Sequence, residues 1–325
     1  MSTYFPLTPG QRGEAIKDLQ RRLGAAGHHP TAPMEVGVFC ASTVSAVRAF
    51  QDQRGLQVSG VCDEHTWAAL VEATWKLGDR MLSLTSPNMR GDDVAELQSN
   101  LARIGFDPGR VDGILGPRSV QAVRDFQANC GLMADGVCGP GTVHTLRLVS
   151  SQSGHGPGVT ALREIERLRT GFEAMDDCRV VVGHFGGLSA LVRSVVLELR
   201  QRRANVMVLD EPDAVAQALA ANHFGAHVFL GLESVAESQA VATFYQVPSF
   251  ESAGGRALAD ALTERLSGLS GLQPSARGMR LPVLRETRMP AVLLTLGPPR
   301  LATDAAPALV QAISDALEQW ILRAP

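Results

Sequence analysis

Between Arg90 and Leu148 apolar residues recur at helical spacing, and the breaks in that spacing fall at glycines and Asp-Gly pairs. Val94, Leu97, Leu101 and Ile104, with Gln98 among them, share one face of a predicted helix. Asp92 and Asp93 stand at its start, suited to cap it and to meet its dipole, and Gly105 stops it. Asp112-Gly113 and Gly116-Pro117 read as a turn, after which Ser119 is expected to cap a second helix bearing Val120, Val123 and Phe126. Gly131 ends that helix, Asp135-Gly136 turns the chain again, and Thr142 is expected to open a short third helix closed by Leu146 and Leu148. Leu97, Leu101, Val123, Phe126, Leu132 and Leu146 then form the expected core of a three-helix bundle.

The pattern occurs twice. Arg12-Gly13 and Leu19-Gln20 recur as Arg90-Gly91 and Leu97-Gln98 at one offset. Ala46 to Gln51 recurs as Ala122 to Gln127, and Gly60-Val61-Cys62 as Gly136-Val137-Cys138, at an offset two residues shorter. Residue type and register held over such a span mark an internal repeat, with two extra residues in the first copy between His28 and Cys40. Where the second copy has Asp112, Gly113, Gly116 and Pro117, the first has Val36, Gly37, Cys40 and Ala41, so its turn is expected to be built differently.

Beyond the repeats the period changes. Ser150 to Gly158 is a flexible linker by composition, and Ala161 to Phe172 a charged amphipathic helix. Val180 to Val182, Val206 to Leu209, Val228 to Leu230 and Ala291 to Leu294 are apolar runs without alternation, as buried strands require. Helices are expected between and after them, at Leu188 to Arg202, Ala214 to Asn222, Ala253 to Leu266 and Pro307 to Leu322. The chain therefore reads as multidomain: two small three-helix bundles, 8–78 and 82–149, a linker and helix, 150–178, and an α/β domain with a mainly parallel sheet, 179–325.

Composition narrows the function classes. A formal net charge of −3 gives no electrostatic case for nucleic acid or anionic membrane, and no apolar run approaches the roughly 20 residues a bilayer needs. The first ten residues lack the basic and apolar regions of an export signal, which leads to the expectation of a cytoplasmic protein. Five cysteines without Cys-x-x-Cys pairing suggest packed, reduced thiols, Cys62 and Cys138 occupying equivalent places, with Cys130 to Cys138 as the main alternative, a disulfide.

With its Arg-Gly-Asp, Leu-Gln, Val-Asp-Gly-Ile and Ala-Val-Arg-Asp-Phe-Gln strings, the repeat resembles the three-helix peptidoglycan-binding domain of cell-wall hydrolases. The turn positions Asp112, Gly113, Asp135 and Gly136 carry that likeness in the second copy. The third domain resembles the zinc-dependent N-acetylmuramoyl-L-alanine amidases of the amidase-3 type. Arg179 to Val182 with Gly186-Gly187, Ala221-Asn222 with Gly225 to Leu232, and Met289 to Gly297 stand where that family has its strand-end strings. The resemblance implies where the zinc chemistry belongs, and here those places hold other residues. The first ligand His is replaced by Phe185, unless a one-residue gap brings His184 there; the second His is Glu233 and the catalytic Glu is Thr295. These positions and Asn222 are vestigial active-site candidates, so no catalytic residue, metal or cofactor is expected. His184 and Glu233 are expected to sit together at the sheet's edge. His223 and His227 make a poor metal pair, because Phe224-Gly225 interrupts a helical face between them.

Taken together, the repeats and the altered amidase-like domain resemble the actinobacterial CwlM-type family. What this implies is a pseudoenzyme that regulates peptidoglycan precursor synthesis by stimulating the UDP-N-acetylglucosamine enolpyruvyl transferase, its expected partner, while the repeats bind peptidoglycan or its precursors. That family's phosphorylated C-terminal tail has no counterpart before Pro325. The alternatives are a working zinc amidase and a peptidoglycan-binding adaptor.

Overall fold

The structure, a computed structural model, describes residues 5–29, 35–151, 158–248, 250–269 and 272–322. Most of the expected linker, 152–157, lies outside the described residues. The chain forms two compact units, Met1–Thr160 and Ala161–Pro325.

The first unit holds the two repeats. Helices α1 (Glu14–Ala25), α2 (Ala41–Gln53) and α3 (Glu64–Glu72) make one bundle, and α4 (Asp92–Arg103), α5 (Pro117–Asn129) and α6 (Pro140–Ser151) the other. Leu19, Val47, Phe50 and Leu70 close the first core, and Leu97, Leu101, Val123, Phe126 and Leu146 the second. Leu132 stays half-buried outside it, because the chain has already left α5 through Gly131. Short antiparallel bridges recur at matching places: Leu7 with Cys62 and Leu82 with Cys138, Arg12 with Val38 and Arg90 with Ile114. This explains why both copies keep a small buried thiol there. The bundles are joined by Arg54, whose Nη1 donates to both carboxylate oxygens of Asp92 at 2.8 and 2.7 Å.

One buried glutamine defines each of four turns. Gln20, Gln51, Gln98 and Gln127 accept the backbone N–H of Gly37, Gly60, Gly113 and Gly136 at 2.8, 2.9, 2.8 and 2.8 Å. Their amide nitrogens donate to the carbonyls of Val38, Val61, Ile114 and Val137 at 2.8–3.0 Å. The same nitrogens donate to the hydroxyls of Thr43, Thr66, Ser119 and Thr142, each the third residue of the following helix. One amide thus satisfies a loop N–H and a loop C=O that burial would otherwise leave unpaired. The four glycines have φ of +77, +78, +73 and +77°, a region that excludes most side chains.

Three expectations are corrected here. The eroded turn at Val36-Gly37 is the same turn as Asp112-Gly113, since the glutamine and glycine, rather than the aspartate, define it. In the second copy Asp112 adds acceptance from Gln98 Nε2 and Ile114 N–H; in the first, the Glu35 carbonyl takes the Gln20 amide. Ser119 and Thr142 do not cap or open their helices, because their hydroxyls turn inward to the glutamines and α5 and α6 begin at Pro117 and Pro140. Asp93 does not cap α4 either, for Gly91 is the N-cap and the buried Asp93 carboxylate pairs with Arg80 at 2.7 Å.

In the second unit α7 (Val159–Thr170) precedes a seven-stranded sheet. Its elements are β1 (Arg179–His184), α8 (Ser189–Gln201), β2 (Asn205–Asp210), α9 (Ala214–Phe224), β3 (Val228–Ser234), β4 (Gln239–Val247), β5 (Phe250–Glu251), α10 (Ala253–Leu266), β6 (Pro274–Met279), α11 (Pro282–Glu286), β7 (Ala291–Gly297), α12 (Pro299–Asp304) and α13 (Ala306–Ile321). The strand order is β2-β1-β3-β7-β4-β5, with β6 also paired to β4. β2, β1, β3 and β7 run parallel, while β4 is antiparallel to β7. Successive residues of a strand point to opposite faces. Val180, Val182, Leu230 and Leu294 therefore pack with α8, α10 and α13, and Val181, Phe229 and Leu293 with α9 and α11. The amphipathic helix α7 packs in this unit: Glu164 accepts from the Ser252 hydroxyl at 2.7 Å and from Gly254 N–H at 3.0 Å, at the start of α10.

Candidate functional site

In an open α/β sheet, chemistry collects at the C-terminal strand ends where the connections diverge. Here that place is the end of β1 and β3, since β1 leads through α8 to β2 on one side and β3 continues toward β4 on the other. Of the five positions singled out in the sequence, His184, Phe185, Glu233 and Thr295 stand there, divided between the two faces.

Glu233 and Thr295 lie directly opposite each other across β3 and β7. Both follow the parity of Phe229 and Leu293, so they share the α9 face. Phe185, whose N–H donates to the Leu232 carbonyl at 3.0 Å, packs on that face too, its ring lying over Gly231 beside Leu293. A Cβ at Gly231 would come within 2.9 Å of the ring and 2.8 Å of Leu293, so glycine is what lets these side chains settle on the sheet. The three positions that the resemblance matches to a His, a His and a Glu are thus gathered as a phenyl ring, a carboxylate and a hydroxyl. Burial pushes the half-buried Glu233 carboxyl above its usual range.

His184 is on the other face. It pairs in register with Leu232 and follows Val180 and Val182 toward α8, so the expected meeting of His184 with Glu233 does not occur. Strand parity is the reason: Glu233 is one residue past the partner of His184. The imidazole is nine-tenths buried, with Nδ1 2.9 Å from Asp210 Oδ1 at the end of β2. Its Nε2 accepts from Leu188 N–H at 3.4 Å and faces Ser189 Oγ at 3.5 Å. An Nε2 that accepts from a backbone N–H carries no proton, so Nδ1 donates to Asp210.

The other singled-out residues have structural places. Asn222 fastens α9 to the end of α11, donating to the Glu286 carbonyl and accepting from Arg288 N–H, both at 2.8 Å. His227 accepts from Arg179 N–H at 3.1 Å and stacks against Phe172, whereas His223 is exposed. The buried Gln217, passed over in the sequence, donates to the His184 carbonyl at 2.9 Å and ties α9 to the strand end.

Zinc is the metal an amidase-like domain implies, and the residues present do not suit it. Phe185 offers no donor, Thr295 is a poor one, and His184 points away from Glu233. Among the described residues no group of three His, Cys, Asp or Glu side chains is placed to hold a metal ion. No described helix is long and apolar enough to cross a membrane.

Residues 12–70 and 90–146 match the putative peptidoglycan binding domain family. N-acetylmuramoyl-L-alanine amidase CwlM of Mycobacterium tuberculosis is 38% identical over 184 residues, 53% of this chain and 45% of that protein. A probable N-acetylmuramoyl-L-alanine amidase of Bacillus licheniformis is 33% identical over 156 residues, 43% of this chain and 44% of its own length. The chain thus spans about half the length of these relatives. Among solved structures, the catalytic domain of the amidase CwlV from Bacillus (Paenibacillus) polymyxa var. colistinus covers 44% of this chain and 97% of its own, at 20% identity and a TM-score of 0.37. Ami1 of Mycobacterium smegmatis covers 46% of this chain and 100% of its own, at 10% identity and a TM-score of 0.37.

Two peptidoglycan-binding domains are followed in this chain by an α/β domain with a mainly parallel sheet. Over about half of its length the chain is similar to the CwlM-type amidase.

Proposed function

We propose that this chain is a cytoplasmic regulator of peptidoglycan precursor synthesis, acting on the UDP-N-acetylglucosamine enolpyruvyl transferase and lacking amidase activity. Its repeats hold peptidoglycan or its precursors. The observation that carries the reading is the common face of Phe185, Glu233 and Thr295. A zinc amidase needs three ligands, an open position for water and a carboxylate to move the proton, and this face presents one carboxylate beside an apolar ring. The domain nevertheless keeps a buried sheet with helices on both faces, as a binding surface requires. The CwlM-type make-up supports the choice of partner, and five free thiols agree with a reducing compartment.

The test is a pair of assays on the full chain. Incubation with purified sacculi and Zn²⁺ releases no stem peptides, and a pull-down from lysate of the same cell captures the transferase. Stem release that EDTA abolishes and Glu233→Ala prevents favours the zinc amidase; retention on sacculi without capture of the enzyme favours the adaptor.

A further inference from the structure

The His184 cluster serves neither the repeats nor the vestigial zinc face. It holds three groups in series: a carboxylate at the end of β2, a buried imidazole at the end of β1, and a hydroxyl on the first residue of α8. Asp210 Oδ1 lies 2.9 Å from Nδ1, and Ser189 Oγ lies 3.5 Å from Nε2. Leu188 N–H points at Nε2 and so fixes the tautomer a general base needs, with Nε2 unprotonated, its lone pair facing both Leu188 N–H and Ser189 Oγ, and Nδ1 protonated toward Asp210. Contacts between nucleophile and base are often this long without substrate.

The surroundings bear on chemistry as well. Ser189 is exposed, while His184 beneath it is buried, so the hydroxyl is reachable and the base is shielded. Ser189 opens a helix of 13 residues whose N-cap, Leu188, makes no side-chain cap hydrogen bond, so the first-turn N–H groups have no intrahelical acceptor. The connection from β1 turns through Gly186 and Gly187, with φ of +108 and +77°, and a Cβ on Gly186 would meet nothing within 4 Å. Gly187 lets the end of β3 approach, since a Cβ there would lie 2.4 Å from Ser234 Cβ. The Ser234 hydroxyl beside it is buried and without a hydrogen-bond partner among the described residues.

We propose that Ser189, His184 and Asp210 form a nucleophilic hydrolase site acting on short-chain carboxylic esters. Ser189 Oγ adds to the ester carbonyl carbon as its proton passes to His184 Nε2. The C–O bond to the alcohol then breaks, the departing alkoxide takes that proton, and an acyl-serine remains. Water adds to the acyl-serine with the same base, releasing the carboxylic acid and restoring Ser189. Asp210 is a positioning residue, holding the tautomer and stabilising the imidazolium. Esters rather than amides suit the site, because an alkoxide leaves with less help from the acid than an amine does. A short acyl group suits a nucleophile exposed beside two glycines.

The test treats the full chain with a fluorophosphonate probe and maps the adduct by mass spectrometry, alongside hydrolysis of p-nitrophenyl acetate. Labelling at Ser189 is expected, with ester turnover that Ser189→Ala removes. His184→Gln should lower both by about a hundredfold or more, the usual worth of a general base. Because a buried imidazole also supports folding, Asp210→Asn is the second variant: its exposed side chain keeps its shape, yet the rate should fall and its pH profile should shift, whereas Asp210→Glu should recover part of the rate. An unlabelled Ser189, or labelling at the same rate in His184→Gln and Asp210→Asn, overturns the proposal.

Discussion

Gln98→Leu keeps the volume of a buried side chain and removes its hydrogen bonds. Two of the groups it serves have other partners: Ser119 Oγ still donates to the Pro108 carbonyl at 2.9 Å, and the Ile114 carbonyl still accepts from Gly116 N–H at 2.9 Å. The buried N–H of Gly113, 2.8 Å from Gln98 Oε1, has no replacement, and the N–H of Asp112 at 3.1 Å turns to water. One orphaned buried donor costs about 1–3 kcal/mol, so the whole change is expected near 2–3 kcal/mol. Gln20→Leu orphans Gly37 N–H in the same way and should cost the same, although the first repeat lacks the aspartate. Urea unfolding of the full chain by tryptophan fluorescence reads this out, since Trp67 and Trp75 lie in the first unit and Trp320 in the second. The first unit's midpoint should move down by about 1 M. Gln121→Leu, at an exposed side chain that donates to Asp125 in the same helix, is the control and should change stability by under about 0.5 kcal/mol. A Gln98→Leu cost no larger than the control's, or a neutral Gln20→Leu, would refute the shared-turn argument.

Other expectations follow from charge and burial. Backbone N–H groups at the start of α2, Thr43's foremost, draw the Cys40 thiol down to about 7, whereas burial pushes Cys62, Cys138 and Cys178 up to about 12. Iodoacetamide at neutral pH should therefore alkylate Cys40 ahead of those three, its rate rising through a midpoint near pH 7; equal rates would contradict this. Glu233, raised in the fold by burial, favours the folded state while protonated, a contribution complete below its unfolded pKa and lost as pH rises through the folded value. Glu233→Gln should accordingly raise the second unit's thermal midpoint at pH 7 and change it little below pH about 4; a destabilised variant at pH 7 would reveal an unseen partner. Arg202, braced by Glu198 of α8 at 2.8 Å, joins that helix to α13 through Asp315 and Glu318 at 2.7 and 2.5 Å. Arg202→Ala should lower stability by about 1–2 kcal/mol at low salt, with the difference shrinking in 1 M NaCl.

Much of the architecture was legible because it is written in apolar periodicity. The repeats and the four central strands fell where Leu97, Phe126, Val181 and Leu293 announced them. β6 was not legible: Pro274 to Met279 contains no apolar run, and it is a strand because its backbone pairs with β4. Gln20, Gln51, Gln98 and Gln127 were legible in principle, as polar residues recurring at core positions in both copies, but their bonding needs the turn in place. The separation of His184 from Glu233 was beyond reach, since the register of β1 on β3 is set by tertiary pairing and one residue of register exchanges the faces.

The rate of the enolpyruvyl transferase with and without the purified full chain tests the central claim most directly. Phosphate release from phosphoenolpyruvate should rise as the chain is added, saturating with complex formation, and should rise equally with Glu233→Ala, since the proposed function uses no zinc chemistry. An unchanged rate and no detectable complex, with the chain held on sacculi or releasing their stem peptides, would contradict the account.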